Sequence, residues 1–413
     1  MSDPMRYSFR EDERVASRWD VSDPRSVEAL TRDASARDAS GSVETDRLVV
    51  LTGFMGTGKT AAGRRLARML GRPFLDMDEE IAGRAGHSVA EIFAQRGEAA
   101  FRAQETELCR ELAQGTEAVI ATGGGTLLDA GNRDLLRQAG RVFVLQASAD
   151  SIARRVREDT ARPLLLDRAG WPLEGALLSA RIGELLEARR IAYAEAGETV
   201  ETGTLDPGRV AARIAARLPL MHRTITTELP PGGRVPAREQ SPVEIGRGIA
   251  LHLGHRLRAH GLDGPVFLMI AERLVPLYQD LLDVAFEEAR LTWHAIPVAD
   301  GDGEKTFAQV ERILGRLADS GATRDATAVT FGGGVTGDMG GFAASIYMRG
   351  MPLVQVPTTL LAQVDASIGG KMGVNHPRAK NLVGSFHQPH LVVIDPCLLG
   401  TLPRREVSCG MAE

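Results

Sequence analysis

The segment GFMGTGKT, residues 53–60, places glycines, a lysine and a threonine at the spacing G-x-x-x-x-G-K-[ST]. Glycines in such a loop let backbone N–H groups point at phosphate oxygens, and a helix that begins directly afterwards adds the positive end of its dipole. The lysine then reaches the terminal phosphates, and the threonine hydroxyl binds Mg²⁺. The spacing therefore predicts that Lys59 and Thr60 hold a nucleoside triphosphate and its magnesium ion.

Further polar residues of the first half could hold the group that receives a phosphate. FLDMDEEI ends an apolar run with Asp76 and Asp78, and alternation along a strand would direct both carboxylates to one side, although helix capping is the alternative. Arg102 lies in an amphipathic helical pattern. ATGGG ends a buried strand in Gly123–Gly125, which favours a ligand against bare backbone, with a tight turn as the alternative. Arg162, before a proline in a polar segment, suits a mobile cationic lid.

The second half has another glycine-rich segment, TFGGGVTGDMGG, between a strand pattern and a helical pattern. Backbone N–H groups of such a segment bind pyrophosphate, and Asp338 could add a polar contact. The next segment, residues 356–389, is rich in glycine and polar residues and predicts a loop for an anionic, hydroxylated ligand. Its candidate ligand-binding residues are Asp365, Lys371, Lys380, Asn381 and His387.

The elements that position these residues alternate between apolar runs and helical patterns. RLVVLTG, EAVIATGGG and RVFVLQAS predict buried strands in the first half, and VFLMI, LTWHAIPV and ATAVTFGGG do so in the second. VAEIFAQRG, FRAQETELCRELAQ and ELLEARRIAYAEA predict helices. The alternation indicates an α/β fold with a parallel sheet. Residues 1–46 predict a disordered tail, and the Pro- and Gly-rich residues 227–242 predict a linker or turn region.

Composition excludes several classes of partner. The formal net charge of -5 gives no basic footprint for nucleic acid or an anionic membrane surface. No apolar run approaches the ~20 residues that a membrane span requires. The three cysteines, Cys109, Cys397 and Cys409, form no C-x-x-C pair, as expected for thiols kept reduced in the cytoplasm.

From about Leu48 to Leu218 the sequence resembles the shikimate kinases. The matching motifs are GFMGTGKT, FLDMDEEI, the pattern IF-x-x-x-GE-x-x-FR-x-x-E, ATGGG, and RPLL in the lid. The resemblance implies a P-loop kinase domain over residues 47–218 that phosphorylates the 3-hydroxyl of shikimate with Mg²⁺ and ATP. It implies that the ATP contacts come from Gly53, Gly56, Thr57, Gly58, Lys59, Thr60 and Arg155.

The same resemblance implies roles for the remaining residues of the kinase site. Asp76 would hold Mg²⁺ through water together with Thr60, Asp78 would orient or deprotonate the acceptor, and Arg162 would close over the transferring phosphate. The implied shikimate contacts are Asp78, Arg102, Gly123, Gly124, Gly125 and Arg189. Where the family has R-x-P-x-Y, this sequence has RRIAY, so either Arg189 or Arg190 could bind the substrate carboxylate. The spacing to Tyr193 favours Arg189.

From about Pro242 to Glu413 the sequence resembles the N-terminal domain of the 3-dehydroquinate synthases. The resemblance implies an α/β NAD-binding domain over residues 219–413, from an enzyme that converts a seven-carbon sugar acid phosphate to 3-dehydroquinate. It implies NAD contacts from Asp302, Lys305, Gly333, Gly334, Val335, Asp338, Thr358, Thr359, Leu361, Thr401 and Leu402. It implies substrate contacts from Asp365, Lys371, Lys380 and Asn381, and from Arg349 either within the chain or across a subunit boundary.

Glu413 lies where this family places its first metal ligand, and the family's other ligands are histidines of a C-terminal domain that this sequence does not contain. Zn²⁺ or Co²⁺ would require that domain, because one carboxylate cannot form a three-ligand site. The two resemblances together predict a natural fusion of both enzymes that has been cut short. We expect kinase activity, no complete synthase activity from these residues, and a possible homodimer through the synthase half.

Three alternatives remain open on the sequence alone. The first half could be another P-loop small-molecule kinase, such as a gluconate kinase. The second half could belong to a sister sugar-phosphate cyclase or to a glycerol-dehydrogenase-like enzyme. It could also be a non-catalytic module that binds a nucleotide or dimerises the kinase.

Overall fold

The structure is a computed structural model, and it describes residues 47–115, 117–156, 165, 171–220, 222–228 and 240–412. The chain divides into two compact units. The first unit contains the described residues up to Gly63 and those from Pro73 to Gly203, and the second contains Arg64–Arg72 and the described residues from Thr204 onward. Over these described ranges, no helix has both the length and the apolar character needed to cross a membrane.

The first unit is built on a parallel sheet of five strands in the order β2–β3–β1–β4–β5. Every residue of β1 and β3 is buried, as expected for central strands of a parallel sheet. The pairing brings the carboxyl ends of β1, β2 and β3 to one edge of the sheet. The strands are β1 (Leu48–Gly53), β2 (Phe74–Asp76), β3 (Ala118–Ala121), β4 (Gly140–Gln146) and β5 (Glu198–Glu201).

Helices connect these strands and bury their apolar sides in two clusters. One cluster joins Val50 of β1 to Leu108 of the third helix, and the other joins Phe54 to Ile152 and Ile182 of the fifth and sixth helices. The helices are α1 (Lys59–Leu70), α2 (Met77–Ala85), α3 (Val89–Ala113), α4 (Ala130–Ala139), α5 (Ala149–Val156) and α6 (Gly175–Ala196).

Helix α3 agrees with the two helices that the sequence predicted. It spans Val89–Ala113 in two helical parts that meet at a kink at Gly97, whose φ of 76° and ψ of 168° are not helical. Its first turn is closed by a capping box, in which Ser88 and Glu91 each accept from the other's backbone N–H. The cap and the buried C-terminal half fix the helix that carries Arg102.

The second unit contains a seven-stranded sheet in the order β6–β7–β14–β11–β10–β8–β9. All neighbours pair in parallel except β6 and β7, which are antiparallel. The strands of this sheet are β6 (Arg223–Glu228), β7 (Gln240–Ile245), β8 (Val266–Ala271), β9 (Trp293–Val298), β10 (Thr327–Gly332), β11 (Leu353–Pro357) and β14 (Leu391–Ile394).

The helices of the second unit include one that packs unusually close to the sheet. This helix, α11, approaches β10 so closely that a Cβ atom at Gly340 would lie 2.6 Å from Cγ2 of Thr330. The helices are α7 (Pro207–Ala215), α8 (Leu253–Ala259), α9 (Val275–Glu288), α10 (Phe307–Asp319), α11 (Gly334–Ile346) and α12 (Arg404–Ala412).

One prediction of loop structure in the second half was wrong. Much of residues 356–389 forms an antiparallel hairpin of β12 (Lys371–His376) and β13 (Ala379–Phe386), because Met372 and Val374 are buried in the core cluster that contains α11. The predicted linker or turn region at 227–242 has its two ends in paired antiparallel strands, with Ser241 of β7 opposite Thr227 of β6. Residues 229–239 lie outside the described residues, so the prediction for them stays a prediction.

Candidate functional site

The phosphate loop, residues 53–60, connects β1 to α1. Gly53 has a φ of +135°, and a Cβ atom there would lie 2.3 Å from the carbonyl oxygen of Leu145, so only glycine fits. The Thr57 hydroxyl donates to the carbonyl oxygen of Phe54 at 2.7 Å inside the loop. The backbone therefore forms the curled segment that the motif predicts.

Lys59 and Thr60 begin α1 and direct polar groups toward the loop and toward β2. Lys59 Nζ donates to the carbonyl oxygens of Gly53 at 3.0 Å and Phe54 at 3.2 Å. Thr60 Oγ1 donates to Oδ2 of Asp76 at 2.7 Å. A hydroxyl beside a carboxylate supplies the oxygen ligands that Mg²⁺ prefers, so this pair fits a magnesium ion.

The predicted strand alternation of Asp76 and Asp78 is wrong, because β2 ends at Asp76 and Asp78 lies in the first turn of α2. Asp76 is the N-cap of α2, and its Oδ1 accepts from the backbone N–H of Asp78 at 3.1 Å. Burial, together with the nearby charge of Asp76, raises the pKa of Asp78 to about 6, while Lys59 and Arg102 act in the opposite direction. Asp78 therefore lies among charged groups at the same sheet edge.

Arg102 on α3 is held by acidic side chains of its own helix. It donates through Nη1 to Glu105 at 2.6 Å and through Nη2 to Glu98 at 3.0 Å. The Glu105 side chain is buried, and its other carboxylate oxygen accepts from Thr126 Oγ1 at 2.5 Å. These contacts hold the guanidinium so close to the backbone that a Cβ atom at Gly125 would lie 2.7 Å from Nη1 of Arg102.

The glycine segment Gly123–Gly125 follows β3 and leaves space for these side chains. A Cβ atom at Gly123 would lie 2.7 Å from Oδ1 of Asp78 and 2.8 Å from Oε1 of Glu105. A larger residue would displace one of the two carboxylates. The glycines thus form a bare strip of backbone along which Asp78 and Arg102 lie.

Arg189 and Tyr193 on α6 reach the same glycine segment from another side. Arg189 Nη1 and the Tyr193 hydroxyl both donate to the carbonyl oxygen of Gly124, at 3.0 Å and 2.9 Å. The guanidinium of Arg189 also lies over the ring of Phe54, 5.1 Å from its centroid. Arg190 instead forms an exposed ion pair within α6. Of the two candidate arginines, Arg189 faces the glycine segment.

Arg155 on α5 lies beside the phosphate loop. It donates to the carbonyl oxygen of Gly56 at 3.2 Å and to that of Thr202 at 3.3 Å. The predicted contact of Arg155 with the nucleotide base stays a prediction. Arg162, the predicted lid residue, lies outside the described residues.

These groups give the first unit a site with a definite chemical character. The glycine-rich loop and the hydrogen-bonded Thr60–Asp76 pair lie near the half-buried carboxylate of Asp78 and near two guanidinium groups. Such a set suits phosphoryl transfer to an acceptor that carries both hydroxyl groups and a negative charge.

In the second unit, the glycine-rich segment forms a turn from strand to helix. β10 ends at Gly332 and α11 begins at Gly334. A Cβ atom at Gly333 would lie 3.1 Å from Cγ2 of Thr359, and one at Gly334 would lie 3.5 Å from Cβ of Ala366. Bare backbone at a helix N-terminus fits the pyrophosphate of a dinucleotide.

Lys305 connects a predicted NAD residue with a predicted substrate residue. Its buried ammonium group donates to Asp338 of α11 and, at 2.5 Å, to Oδ1 of Asn381 of β13. Burial raises the pKa of Asp338, although the lysine opposes that shift. The ammonium group of Lys305 therefore connects α11 to the hairpin of β12 and β13.

Other predicted substrate residues lie around this hairpin. Lys380 forms an exposed ion pair with Asp302 at 2.6 Å, which joins a second predicted substrate residue to a predicted NAD residue. Lys371 begins β12, and Asp365 lies in a π-helical turn. Arg349 is exposed in a turn after α11 and has a φ of 69°, which is uncommon for a residue with a side chain.

The remaining predicted NAD residues lie on three segments. The backbone N–H of Thr358 donates to the carbonyl oxygen of Gly332 at 2.8 Å, which joins the end of β11 to the glycine turn. The Thr401 hydroxyl shares a hydrogen bond of 2.8 Å with the hydroxyl of Tyr278. Partly buried or exposed positions are occupied by Val335, Thr359, Leu361 and Leu402.

The described residues do not supply the divalent metal site of the second half. Across the part of the chain that the structure describes, no group of three His, Cys, Asp or Glu side chains could hold a metal ion. Glu413, the predicted ligand for Zn²⁺ or Co²⁺, lies outside the described residues. The described residues therefore do not form a site that fits Zn²⁺ or Co²⁺.

Two protein families match separate parts of the chain. Residues 55–219 match the family model of shikimate kinase, and residues 295–409 match that of the 3-dehydroquinate synthase N-terminal domain. The chain joins a shikimate kinase domain to a 3-dehydroquinate synthase domain. Both resemblances drawn from the sequence motifs are confirmed.

One relative combines both domains, and another matches the second domain alone. A bifunctional shikimate kinase/3-dehydroquinate synthase of Thermotoga maritima is 34% identical over 365 residues, which cover 88% of this chain and 66% of the relative. A 3-dehydroquinate synthase of Symbiobacterium thermophilum is 46% identical over 176 residues, 42% of this chain and 49% of the relative. The kinase–synthase chain thus spans about two thirds of the first relative and about half of the second.

Solved structures resemble each domain separately. A shikimate kinase from Acinetobacter baumannii in complex with shikimate is 37% identical and covers 41% of this chain and 92% of its own, with a TM-score of 0.38. A 2-epi-5-epi-valiolone synthase from Streptomyces hygroscopicus, with NAD⁺ and Zn²⁺ bound, is 30% identical, covers 44% of this chain and 50% of its own, and has a TM-score of 0.40. Both TM-scores lie below 0.5.

Sequence reasoning gave no role to Glu105 or to the hydroxyl of Tyr193. Both residues follow a predicted arginine by one helical turn, Glu105 after Arg102 and Tyr193 after Arg189. This spacing was the available signal. The spacing shows only that two side chains share a helix face. It does not show that Glu105 accepts from Thr126, or that Tyr193 donates to the carbonyl oxygen of Gly124.

We expect Glu105→Gln to lower the stability of the kinase domain by about 1–3 kcal/mol, because Arg102 and Thr126 would lose a buried charged acceptor. Calorimetric unfolding of the full chain measures this loss. Glu107→Gln on the same helix is the matched control, since its ion pair with Arg110 is exposed and should contribute little. Equal unfolding temperatures for the two variants would contradict the structural role of Glu105.

Proposed function

We propose that the first domain transfers the γ-phosphoryl group of ATP to the 3-hydroxyl of shikimate. The observation that supports this most strongly is the meeting of two sets of groups at the carboxyl ends of β1, β2 and β3. Lys59 and the Thr60–Asp76 pair belong to the nucleotide side. Asp78, Arg102 and Arg189 lie along the glycine segment on the acceptor side.

The residues of the site would act mainly by positioning and by neutralising charge. Lys59 and the backbone of the phosphate loop would hold the β- and γ-phosphates. Thr60 and Asp76 would hold Mg²⁺, which supplies charge neutralisation at those phosphates when it is bound. Asp78 would orient the 3-hydroxyl by accepting its hydrogen bond. We also propose that Arg162 closes over the transferring phosphate.

Arg102 and Arg189 would bind the carboxylate of shikimate. A guanidinium group is planar and presents parallel N–H donors, which match a carboxylate better than a lysine does. Arg189 is our candidate for the second contact, because it reaches Gly124 whereas Arg190 is paired on the exposed side of α6. Arg155 is our candidate for a contact with the nucleotide base beside Gly56.

We expect ADP release from Mg-ATP to depend on shikimate and to be lost in Lys59→Ala and Asp78→Asn. Arg189→Ala should raise the KM for shikimate by about 30-fold or more. The reason is that the substrate carboxylate would lose a charged donor, which weakens its binding by about 2 kcal/mol or more. A coupled assay that varies shikimate and ATP separately measures both effects.

Arg190→Ala is the matched control, and its KM for shikimate should equal that of the wild type. Equal effects of the two arginine variants would contradict the assignment of Arg189. Turnover with gluconate in place of shikimate would favour another small-molecule kinase.

A second function is favoured by the geometry of the synthase domain. We propose that Gly333 and Gly334 bind the pyrophosphate of NAD and that Lys305 and Asp338 bind its ribose hydroxyls. NAD bound there would supply an acceptor for the hydride of the C–H bond at the carbon that carries a substrate hydroxyl. The bare backbone at the start of α11 and the buried Lys305–Asp338 pair support this proposal. The further proposed NAD contacts are Asp302, Val335, Thr358, Thr359, Leu361, Thr401 and Leu402.

We further propose that this domain belongs to a site for a seven-carbon sugar acid phosphate, the substrate of 3-dehydroquinate synthesis. Cationic side chains would hold its phosphate and carboxylate, and polar side chains its hydroxyls. The candidate residues are Arg349, Asp365, Lys371, Lys380 and Asn381. A sister sugar-phosphate cyclase would use a different sugar phosphate, so NAD-dependent release of phosphate from several such sugars would separate the two.

The remaining proposals concern the chain as a whole. We propose a kinase domain over residues 47–218, a synthase domain over residues 219–413, and work in the cytoplasm, where the three cysteines stay reduced. We also propose a homodimer formed through the synthase domain. Sedimentation of the full chain would test the dimer.

We expect NAD to bind the full chain in a calorimetric titration and Lys305→Met to weaken that binding by about tenfold or more, because the ribose would lose a charged donor. Arg312→Ala, an exposed position on α10, is the control for the loss of a cation and should leave NAD binding unchanged. Circular dichroism would verify that both variants are folded. Equal affinity in the wild type and in Lys305→Met would contradict the assignment.

A further inference from the structure

The carbonyl oxygen of Gly124 accepts from two side chains of α6. The Tyr193 hydroxyl donates to it at 2.9 Å and Nη1 of Arg189 at 3.0 Å. A carbonyl oxygen has two lone pairs and can serve both donors at once. Tyr193 and Arg189 are four residues apart and therefore share one face of the helix.

Gly124 lies beside the phosphate loop, at a spacing that would place a Cβ atom in ordinary van der Waals contact with it. A Cβ atom built on it would lie 3.5 Å from the carbonyl oxygen of Gly53 and 3.6 Å from the backbone nitrogen of Met55. The glycine segment thus lies against the phosphate loop at this point. The orientation of the Gly124 carbonyl depends on the side chains that hold it.

Arg189 has a second task in the proposed function, on which this inference rests. To bind the carboxylate of shikimate, its guanidinium group must present two parallel N–H donors to that carboxylate. Any rotation toward the carboxylate weakens the hydrogen bond from Nη1 to Gly124. If the partly buried carbonyl oxygen of Gly124 lost its donor in this way, the state with Arg189 turned to the substrate would become less stable.

We propose that Tyr193 is a positioning residue, which keeps the Gly124 carbonyl hydrogen-bonded while Arg189 turns to the substrate carboxylate. The phenol is well suited to this task, because it is partly buried and packs against both apolar clusters of the domain. In the described part of the chain, its hydroxyl donates to the carbonyl oxygen of Gly124, on the acceptor side of the proposed site. Its effect should therefore fall on acceptor binding and not on phosphoryl transfer.

The first test is Tyr193→Phe in the full chain, assayed by ADP release. We expect the KM for shikimate to rise by about three- to tenfold, the equivalent of one hydrogen bond. The kcat and the KM for ATP should stay within about twofold of the wild type. Tyr347→Phe is the matched control, because the Tyr347 hydroxyl donates to the carbonyl oxygen of Ala322 at 3.0 Å in the second unit. It should leave all three constants unchanged.

The second test combines Tyr193→Phe with Arg189→Met. If Tyr193 acts through Arg189, the double variant should have the KM for shikimate of Arg189→Met alone, because no guanidinium group remains to be released. If the two substitutions act independently, their increases in KM will multiply in the double variant, because their free energies add. That result would overturn the inference and indicate a general structural role. An unchanged KM in Tyr193→Phe, or a loss of kcat together with a higher KM for ATP, would also overturn it.

The two levels of the account can be separated with the wild type. Shikimate-dependent ADP release with a Tyr193→Phe variant that behaves like the wild type would overturn only the role of Tyr193. A wild-type chain without shikimate-dependent release would overturn the proposed function and this inference together.

Discussion

The pairing of β1 and β2 with β3 is the constraint on which the kinase site depends. In this register Leu51 lies beside Ala121, and Asp76 lies beside Ala121 on the other side. β2 and β3 therefore end level with Leu51, two residues before β1 ends at Gly53, and the phosphate loop, the capping carboxylate of Asp76 and the glycine segment all begin near this edge of the sheet. A slip of one residue would turn the buried side chains of a strand to the opposite face, so the apolar core maintains the register and thereby the site.

Charge within this small volume is the second condition of the site. Burial is the largest cause that raises the pKa of Asp78, and the charges of Asp76 and Glu105 raise it further. Lys59 and Arg102 offset the repulsion from the loop and from α3. The synthase domain uses the same principle, with the buried ammonium of Lys305 between Asp338 and Asn381. In both domains, hydrogen bonds made in advance hold the charged groups in position.

Much of this architecture could be predicted from the sequence, and the exceptions share a physical cause. The motifs were sufficient for the two families, and the apolar runs were sufficient for half of the strands of the two sheets, namely β1, β3, β4, β8, β9 and β10. The alternation assigned to Asp76 and Asp78 was wrong because β2 has only three residues, and capping of the next helix determines where the carboxylates lie. The hairpin of β12 and β13 was missed because its glycines and polar residues are typical of a loop. Only packing of Met372 and Val374 into the core makes it a pair of strands.

Contacts between elements were beyond the reach of sequence patterns for the same reason. Helical spacing places Glu105 beside Arg102, yet the hydrogen bond from Thr126 comes from a turn that follows another strand. Likewise, the sharing of the Gly124 carbonyl by Arg189 and Tyr193 depends on how α6 packs against the turn that follows β3. Periodicity identifies which side chains share a face, and tertiary packing selects the group that they meet.

The central claim is that this sheet edge directs the γ-phosphate of ATP to one hydroxyl of shikimate. The most direct test is NMR spectroscopy of the product that the full chain forms from Mg-ATP and shikimate, with phosphorus–proton couplings used to locate the new ester. The account predicts a single phosphoryl group on the 3-hydroxyl. A phosphoryl group on another hydroxyl, or unmodified shikimate beside ATP that the chain still binds, would contradict it.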